Sequence, residues 1–270
     1  MSIEQEIIDH YEKYTEADRL TRDIGPLELA RTQELIQRYL PAPPAVVLDV
    51  GGGPGVYSFW LAEMGYAVHL VDIVPRHIEQ AAAAQSAGAP ALAGMCTGDA
   101  RRLDLADECA DLVILHGPLY HLAERADRLR AIHEARRVLR PGCHLLAFAI
   151  TRYAGLIYGL QRGLVFDPAY LEMIRTEVQT GRRTNPPAGT FTLPNAYFHL
   201  PGELRAELEE GGLEVEAVLG ILGPAWQVPD LDACWQDETR RQVLLDIARL
   251  TEDEPVLGPR LMAVGRKDNS

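Results

Sequence analysis

Val46-Val47-Leu48-Asp49-Val50-Gly51-Gly52-Gly53-Pro54-Gly55 is the stretch whose reading decides the fold. A short apolar, β-branched run carrying one acid reads as a buried strand, and it passes straight into a glycine loop. Residues 56–64 then carry apolar side chains at helical spacing, with Gly65 placed to end the helix. Residues 67–71 form a second short apolar strand with Asp72 at its carboxyl end. Strand, loop, helix, strand and acid make half of a doubly wound nucleotide-binding fold.

The chemistry accounts for the spacing. Glycines at 51, 53 and 55 remove Cβ atoms where a ligand has to lie against bare backbone. Asp72 falls one βαβ unit later, where a carboxylate accepts both hydroxyls of a ribose. Asp49 discriminates between ligands, because a pyrophosphate seated over this loop would meet its negative charge. The dinucleotide fingerprint also wants a glycine at position 56, which is Val56 here. A ligand with an ammonium near the loop suits the acid instead, and S-adenosylmethionine has that ammonium, a ribose and no phosphate.

At this point the chain resembles the class I S-adenosylmethionine-dependent methyltransferases, whose first motif is acid-x-Gly-x-Gly-x-Gly. Asp49, Gly51, Gly53 and Gly55 stand at the fixed positions, with Gly52 and Pro54 at variable ones. Asp72, followed by Ile73, matches the acid ending the second strand. Gly98-Asp99-Ala100 matches the site where an acid meets the adenine amino group. Residues 111–122, through His116-Gly117-Pro118-Leu119-Tyr120-His121, match the fourth strand and its active-site loop, and Leu139-Arg140-Pro141-Gly142 the turn before the fifth. The resemblance covers about residues 40–150 well and the C-terminal strands loosely. It implies a seven-stranded, doubly wound, mostly parallel α/β sheet. It also implies S-adenosylmethionine as cofactor, held by Asp49, Gly51, Gly52, Gly53, Gly55, Asp72, Ile73, Asp99, Ala100 and His116.

Composition bounds the rest. With 270 residues and 47% hydrophobic content the chain can bury one large core, or a core plus a cap. No apolar signal run opens it and no stretch is long enough to span a bilayer. Cys96, Cys109, Cys143 and Cys234 lack paired spacing, so neither a zinc site nor a disulfide framework is expected, and Cys96 and Cys143 read as packed thiols. A reduced, cytoplasmic protein is the expectation. A formal charge of −13, with Lys13 and Lys267 the only lysines, disfavours a nucleic-acid partner and favours a small-molecule substrate. Arg175, Arg182 and Arg183 gather locally and could meet an acidic group or form a solvated face. Oligomeric state is not legible.

Along the chain, residues 1–40 read as a helical lead-in or lid with Tyr11, Tyr14 and Leu20 clustered. Residues 41–150 are the cofactor-binding core. Residues 151–200, with an amphipathic piece at 170–178 and a loop at 181–195, are a first insertion. Residues 201–270 complete the core: a helix over 201–210, strands over 213–222 and 261–265, and a second insertion at about 223–258. Both insertions are expected to cap the carboxyl ends of the strands, where open α/β sheets bind ligands. Trp226 and Trp235 would line a pocket there or pack the cap.

His121, Tyr120 and His199 are the candidates for orienting substrate or acting as base, with Tyr153 a further neighbour. Each also has a plainer reading: His116 giving only its backbone, His121 and His199 packed in the core, Asp49 bracing the loop, Asp99 capping a turn. His77 reads as surface or packing. No Asp/Asn-Pro-Pro-Tyr/Phe tetrapeptide follows the fourth strand, which disfavours amino methylation of DNA or glutamine by that route. The expected function is methyl transfer to an oxygen, nitrogen or carbon of a small molecule. A non-catalytic cofactor-binding domain, a protein methyltransferase and an NAD-dependent oxidoreductase are the alternatives, and Asp49 and Val56 argue against the last.

Overall fold

The computed structural model describes residues 3–13, 18–184, 186–187, 193 and 195–269, so Tyr14 of the expected cluster lies outside the described residues. In chain order the elements are α1 (Ile3–Lys13), α2 (Gly25–Gln37), β1 (Val46–Val50), α3 (Val56–Glu63), β2 (Ala67–Asp72), α4 (Pro75–Ser86) and β3 (Gly94–Thr97). They continue with β4 (Ala110–Leu115), α5 (Pro118–His121), α6 (Arg125–Val138), β5 (Leu139–Ile150), α7 (Ala154–Gln161), α8 (Pro168–Thr180), β6 (Arg182–Arg183) and β7 (Ala196–Tyr197). Last come α9 (Pro201–Glu210), β8 (Leu213–Gly220), α10 (Leu231–Gln236), α11 (Glu238–Leu250) and β9 (Arg260–Lys267).

Seven strands form one sheet in the order β3-β2-β1-β4-β5-β9-β8. Only β9 runs against its neighbours. The order reverses between β1 and β4, and that switch point is where a crevice opens at the strands' carboxyl ends. Strand parity builds two cores. Val47, Leu112, Ile114, Leu146, Phe148, Met262 and Val264 face α2 and α3. Leu48, Val50, Val113, Leu115, Leu145, Ala147, Leu261 and Ala263 face α6 and α9. Strands buried on both sides need such continuous apolar runs.

Local chemistry sets the helix ends. Gly55, at φ 91°, turns the chain from the loop into α3. Pro75 opens α4 and Pro201 opens α9, where Glu203 accepts the Leu200 N–H at 3.0 Å. The expected turn at 139–142 is taken up within β5. Pro141 has no N–H to donate and Gly142 sits at φ 76°, so the strand bulges there and the β4–β5 register shifts.

Among the described residues, the insertions do not form the expected cap. The second folds back on α2: Trp226, Leu231 and Leu244 join the core on that face, and Trp235 packs against it. Arg249 and Glu252 pair with Glu34 and Arg38 of α2. The apolar face of α2 needs a cover, and these residues supply it. The first insertion packs beside the sheet through Ile150, Ala154, Ala196 and Phe198, with Tyr120 against them. One smaller expectation also fails: Cys96 is exposed on the edge strand β3. In the arginine cluster, Arg175 and Arg182 pair with Glu172 and Glu124 on the solvated face, whereas Arg183 is buried against Glu177. No helix among the described residues is long and apolar enough to cross a membrane.

Candidate active site

A cavity, partly open to solvent and with about 900 Å³ of empty space when that open solvent is included, lies at the switch point. Its floor is the loop Gly51–Pro54, one side is Asp72 and Ile73, and another is Asp99 and Ala100. His116, Tyr120 and His121 close it from the β4 side, and Ile7, Tyr11, Arg19 and Leu20 close it from the N-terminal segment. Among the described residues, the cover is therefore α1 and the turn that follows it, and neither insertion contributes a lining residue.

The glycine loop is tight because two backbones nearly touch. A Cβ on Gly51, which sits at φ 79°, would lie 2.7 Å from the His116 carbonyl and 2.6 Å from Pro118 Cδ. The loop also offers few donors. Gly51 N–H goes to Val71 O at 2.7 Å, Gly53 N–H to Asp72 Oδ2 at 2.8 Å, and Gly55 N–H to Gly52 O at 3.1 Å, while Pro54 has none. A phosphate cradle needs those N–H groups pointing at the ligand. This loop has turned those of Gly51, Gly53 and Gly55 inward, which leaves few for a pyrophosphate.

Asp49 itself stands under the loop, fully buried, and does not reach the cavity wall. Ser58 Oγ donates to its Oδ2 at 2.6 Å. A Cβ on Gly52 would lie 2.4 Å from that oxygen, so the acid braces the turn from below and corrects the expected direct contact with the ligand. Burial pushes its carboxyl up to about 6, with the charge of Asp72 adding to the rise and the Ser58 hydrogen bond opposing it. The protonated form thus stabilises the fold below pH ~4, and that stability is lost as pH rises through about 6. Asp49→Asn keeps the shape and abolishes the titration. It is expected to stabilise the ligand-free protein at pH 7.5 by up to about 3 kcal/mol and to make little difference at pH 4. Urea denaturation at the two pH values checks this, and equal effects at both would contradict it.

Asp72 is the busiest acid in the cavity. Besides Gly53 N–H, it accepts Val74 N–H at 2.9 Å and pairs with His77 Nδ1 at 3.1 Å. His77 is a cavity-lining residue that sequence reading put on the surface or in packing. Its position, two residues into a helix that opens directly after the strand-end acid, was the available signal. Asp99 accepts the Arg101 N–H at 2.8 Å and pairs with the Arg101 guanidinium, which also grips Glu4 of α1. It is thus both turn cap and cavity wall.

On the β4 side, His116 is stacked between Phe148, 4.2 Å away centroid to centroid, and Tyr57 at 5.3 Å. His121 Nε2 and the Tyr11 hydroxyl share a 2.9 Å hydrogen bond, and the Tyr11 ring also packs edge-on against His77. Burial lowers His116 and His121 to about 3, so both rings are neutral near pH 7 and are weak proton acceptors.

His199 is corrected. It is fully buried, lines no part of the cavity, and points Nε2 at Glu207, 3.2 Å away. Glu207 in turn takes a forked bond from Arg128 at 3.1 and 2.7 Å, and Arg128 lies 3.6 Å over the Tyr197 ring. Burial by itself would raise Glu207, but the hydrogen bonds from His199 and Arg128 hold it at about 2. This network is a buried brace between α6 and α9. Arg19 and Tyr57 are lining residues that sequence reading missed, and Arg19 sits in an irregular segment with no periodic signal.

Residues 48–147 match the family described as a methyltransferase domain. A malonyl-[acyl-carrier protein] O-methyltransferase of Methylococcus capsulatus is 38% identical over 127 residues, 47% of this chain and 43% of that protein. A ubiquinone/menaquinone biosynthesis C-methyltransferase (UbiE) of Acidiphilium cryptum is 32% identical over 123 residues, 44% of this chain and 48% of that one. The chain thus spans about half the length of these curated relatives. A SAM-dependent methyltransferase structure from Methanosarcina mazei superposes with a TM-score of 0.61 at 21% identity, over 87% of this chain and 98% of that one. At such identity the likeness establishes the fold. Residues 48–147 therefore resemble the methyltransferase-domain family, and the chain has the fold of class I S-adenosylmethionine-dependent methyltransferases. The cavity suits S-adenosylmethionine: it has carboxylates at two strand ends and a floor whose Gly51, Gly53 and Gly55 N–H groups are already used within the protein.

Proposed function

We propose that this chain transfers a methyl group from S-adenosylmethionine to an oxygen, nitrogen or carbon nucleophile of a small molecule. The cofactor supplies an electrophilic methyl carbon on a sulfonium. Asp72 is the acceptor for ribose hydroxyls, and Asp99 with Ala100 borders the adenine. Gly51, Gly52 and Gly53 let the ligand approach the backbone, with Ile73 and the His116 region as side walls. Gly55 acts one step back, by turning the chain into α3.

The observation that carries the small-molecule reading is the cover. Ile7 and Tyr11 of α1 lie over the cavity, and Tyr11 is tied to His121 by a hydrogen bond. A site roofed by α1 and lined by aromatic rings limits water and suits a small acceptor better than an open groove for a protein or nucleic acid would. The net charge of −13 supports the same reading. The relatives' printed names include both an O- and a C-methyltransferase, so the acceptor atom is left at the level of its class.

With neutral histidines of low basicity, the chain's contribution is orientation: His121 holds Tyr11, and Tyr120 borders the same space. His121→Ala is expected to leave S-adenosylhomocysteine affinity within about threefold, because the hydrogen bond described for His121 goes to Tyr11 rather than to Asp72 or the glycine loop, and to lower turnover by about 10²-fold. Equal losses in both would place His121 in the folding core. The function itself is tested by incubating the protein, methyl-labelled S-adenosylmethionine and a cell extract, then separating products by size. Label in the low-mass fraction supports the reading. Label in protein or nucleic acid, or no transfer at all, would contradict it.

A further inference from the structure

The roof helix α1 has a thin apolar footing. It is 11 residues long, and a helix of that length is marginal in water unless tertiary contacts hold it. Among its described residues only Ile7 is buried, and Ile7 joins neither of the two cores built on the sheet. Polar and aromatic ties make up the rest of its seat. Ile7 and Tyr11 line the cavity, and Glu4, three residues before Ile7, shares their face of the helix.

Two of those ties lead to the acids that border the nucleoside. Asp72 pairs with His77 Nδ1 at 3.1 Å, and the buried His77 ring packs edge-on against Tyr11, centroids 5.1 Å apart. Arg101 Nη2 donates to Asp99 Oδ2 at 2.6 Å, and the same nitrogen donates to Glu4. Each acid is therefore one side chain away from the roof, Asp72 near its carboxyl end and Asp99 near its amino end. Both intermediates are anchored to the framework. His77 stands in the first turn of α4, beside Arg76, which donates to the Glu12 carbonyl at 2.9 Å. Arg101 also reaches Asp127 of α6 at 3.3 Å. Tyr11 with His121 and Asn195 with Glu6 are further ties.

A nucleoside in the cavity acts on both acids at once. Hydroxyls on Asp72 and an amino group on Asp99 restrict carboxylates that water would leave free to turn. Displacing that water also strengthens the charged contacts behind them. Because α1 rests on those contacts more than on core burial, a modest gain there shifts its local opening equilibrium.

We infer that His77 and Arg101 are positioning residues that couple Asp72 and Asp99 to α1, so that a bound nucleoside fastens the roof and completes the acceptor's chamber. The inference rests on the methyl-transfer reading above and deepens it, since it sets an order of cofactor first and acceptor second. By linkage, the fastened roof returns the same factor to nucleoside affinity.

Hydrogen exchange followed by mass spectrometry tests the coupling. The ligands are S-adenosylhomocysteine and 5′-methylthioadenosine, which keeps the nucleoside and thioether but lacks the amino-acid head. In the unaltered protein, saturation with either ligand is expected to slow exchange across residues 3–13 by about tenfold. His77→Ala and Arg101→Ala should each cut that gain to under about threefold at saturation. His77→Gln and Arg101→Lys, which keep a donor, should recover part of it. The ratio of rates with and without ligand decides the matter, because a variant that merely loosens α1 speeds exchange in both states and leaves the ratio unchanged. An unchanged ratio in either alanine variant would overturn that residue's assignment. No gain in an unaltered protein that binds the ligand would overturn the coupling as a whole. Failure of the unaltered protein to bind either ligand would instead defeat the methyl-transfer reading.

Discussion

Asp72→Ala is expected to weaken S-adenosylhomocysteine binding by about 10²-fold, roughly 3 kcal/mol. Two losses combine. The ligand loses a carboxylate acceptor, and charge-assisted hydrogen bonds contribute about 1.5–3 kcal/mol each. The protein also loses the group that holds Gly53 N–H, Val74 N–H and His77, so the loop that floors the cavity is no longer tied to the start of α4. Asp72→Asn retains one acceptor oxygen and most of the shape, and it should fall between the alanine variant and the unaltered protein. Calorimetry on both variants, with thermal melts to confirm folding, checks the expectation. An unchanged dissociation constant in Asp72→Ala would show that the ribose is held elsewhere.

Arg128→Met is expected to destabilise the protein by about 3–5 kcal/mol, because it takes from the buried Glu207 carboxylate its buried cationic partner and leaves it chiefly the His199 hydrogen bond. Glu207 accepts from both Arg128 Nε and Nη2, and Arg128 Nη1 also ties down the carbonyls of Leu122 and Ala123, 3.0 and 2.9 Å away. Those two carbonyls end the segment carrying Tyr120 and His121, so the brace that fixes α9 to α6 also fixes the cavity's β4 side. A simultaneous Glu207→Leu change should recover a substantial part of the loss, since a hydrophobic pair no longer strands a charge. Urea denaturation measures both variants. A loss under about 1 kcal/mol in the single variant would mean that water reaches Glu207 and the network is solvated.

The central fold was legible because its signals are local. The run Val46–Val50, the glycines after it and Asp72 each depend on neighbours in sequence, and the structure places a strand, a loop and a strand-end acid there. The helix at Pro201–Glu210 has a proline at its start and glycines at its end, so its bounds agree with the expectation to the residue. The cavity's lining was legible only in part. Gly51–Gly53, Asp72, Ile73, Asp99 and His116 belong to strand ends, which topology gathers at one edge. His199 misled because its position before α9 says nothing about which way its ring turns, and it turns to Glu207. Asp49 misled in a subtler way. A charge next to a glycine loop suggested contact with the ligand, but strand parity points it into the face packed by Ser58 and Leu70, below the turn.

The cover was legible in part, since residues 1–40 read as a lead-in or lid; the role given to the insertions was the miss, and its cause is physical. Insertion length suggested that residues 151–200 and 223–258 would roof the cavity. Their apolar side chains were needed elsewhere, against Tyr120 on one side and α2 on the other. The roof instead comes from Ile7, Tyr11 and the Arg19–Leu20 turn, held by contacts more than sixty residues away in sequence, such as Tyr11 with His121 and Arg76 with the Glu12 carbonyl. No periodicity in one segment reports such pairings.

The most direct test of the cavity's identity is calorimetric titration of the unaltered protein with S-adenosylhomocysteine and, separately, with NADH. The inward-turned N–H groups of Gly51, Gly53 and Gly55 and the buried Asp49 beneath the floor predict one-site binding of S-adenosylhomocysteine and no heat with NADH. Binding of NADH without binding of S-adenosylhomocysteine would contradict the account.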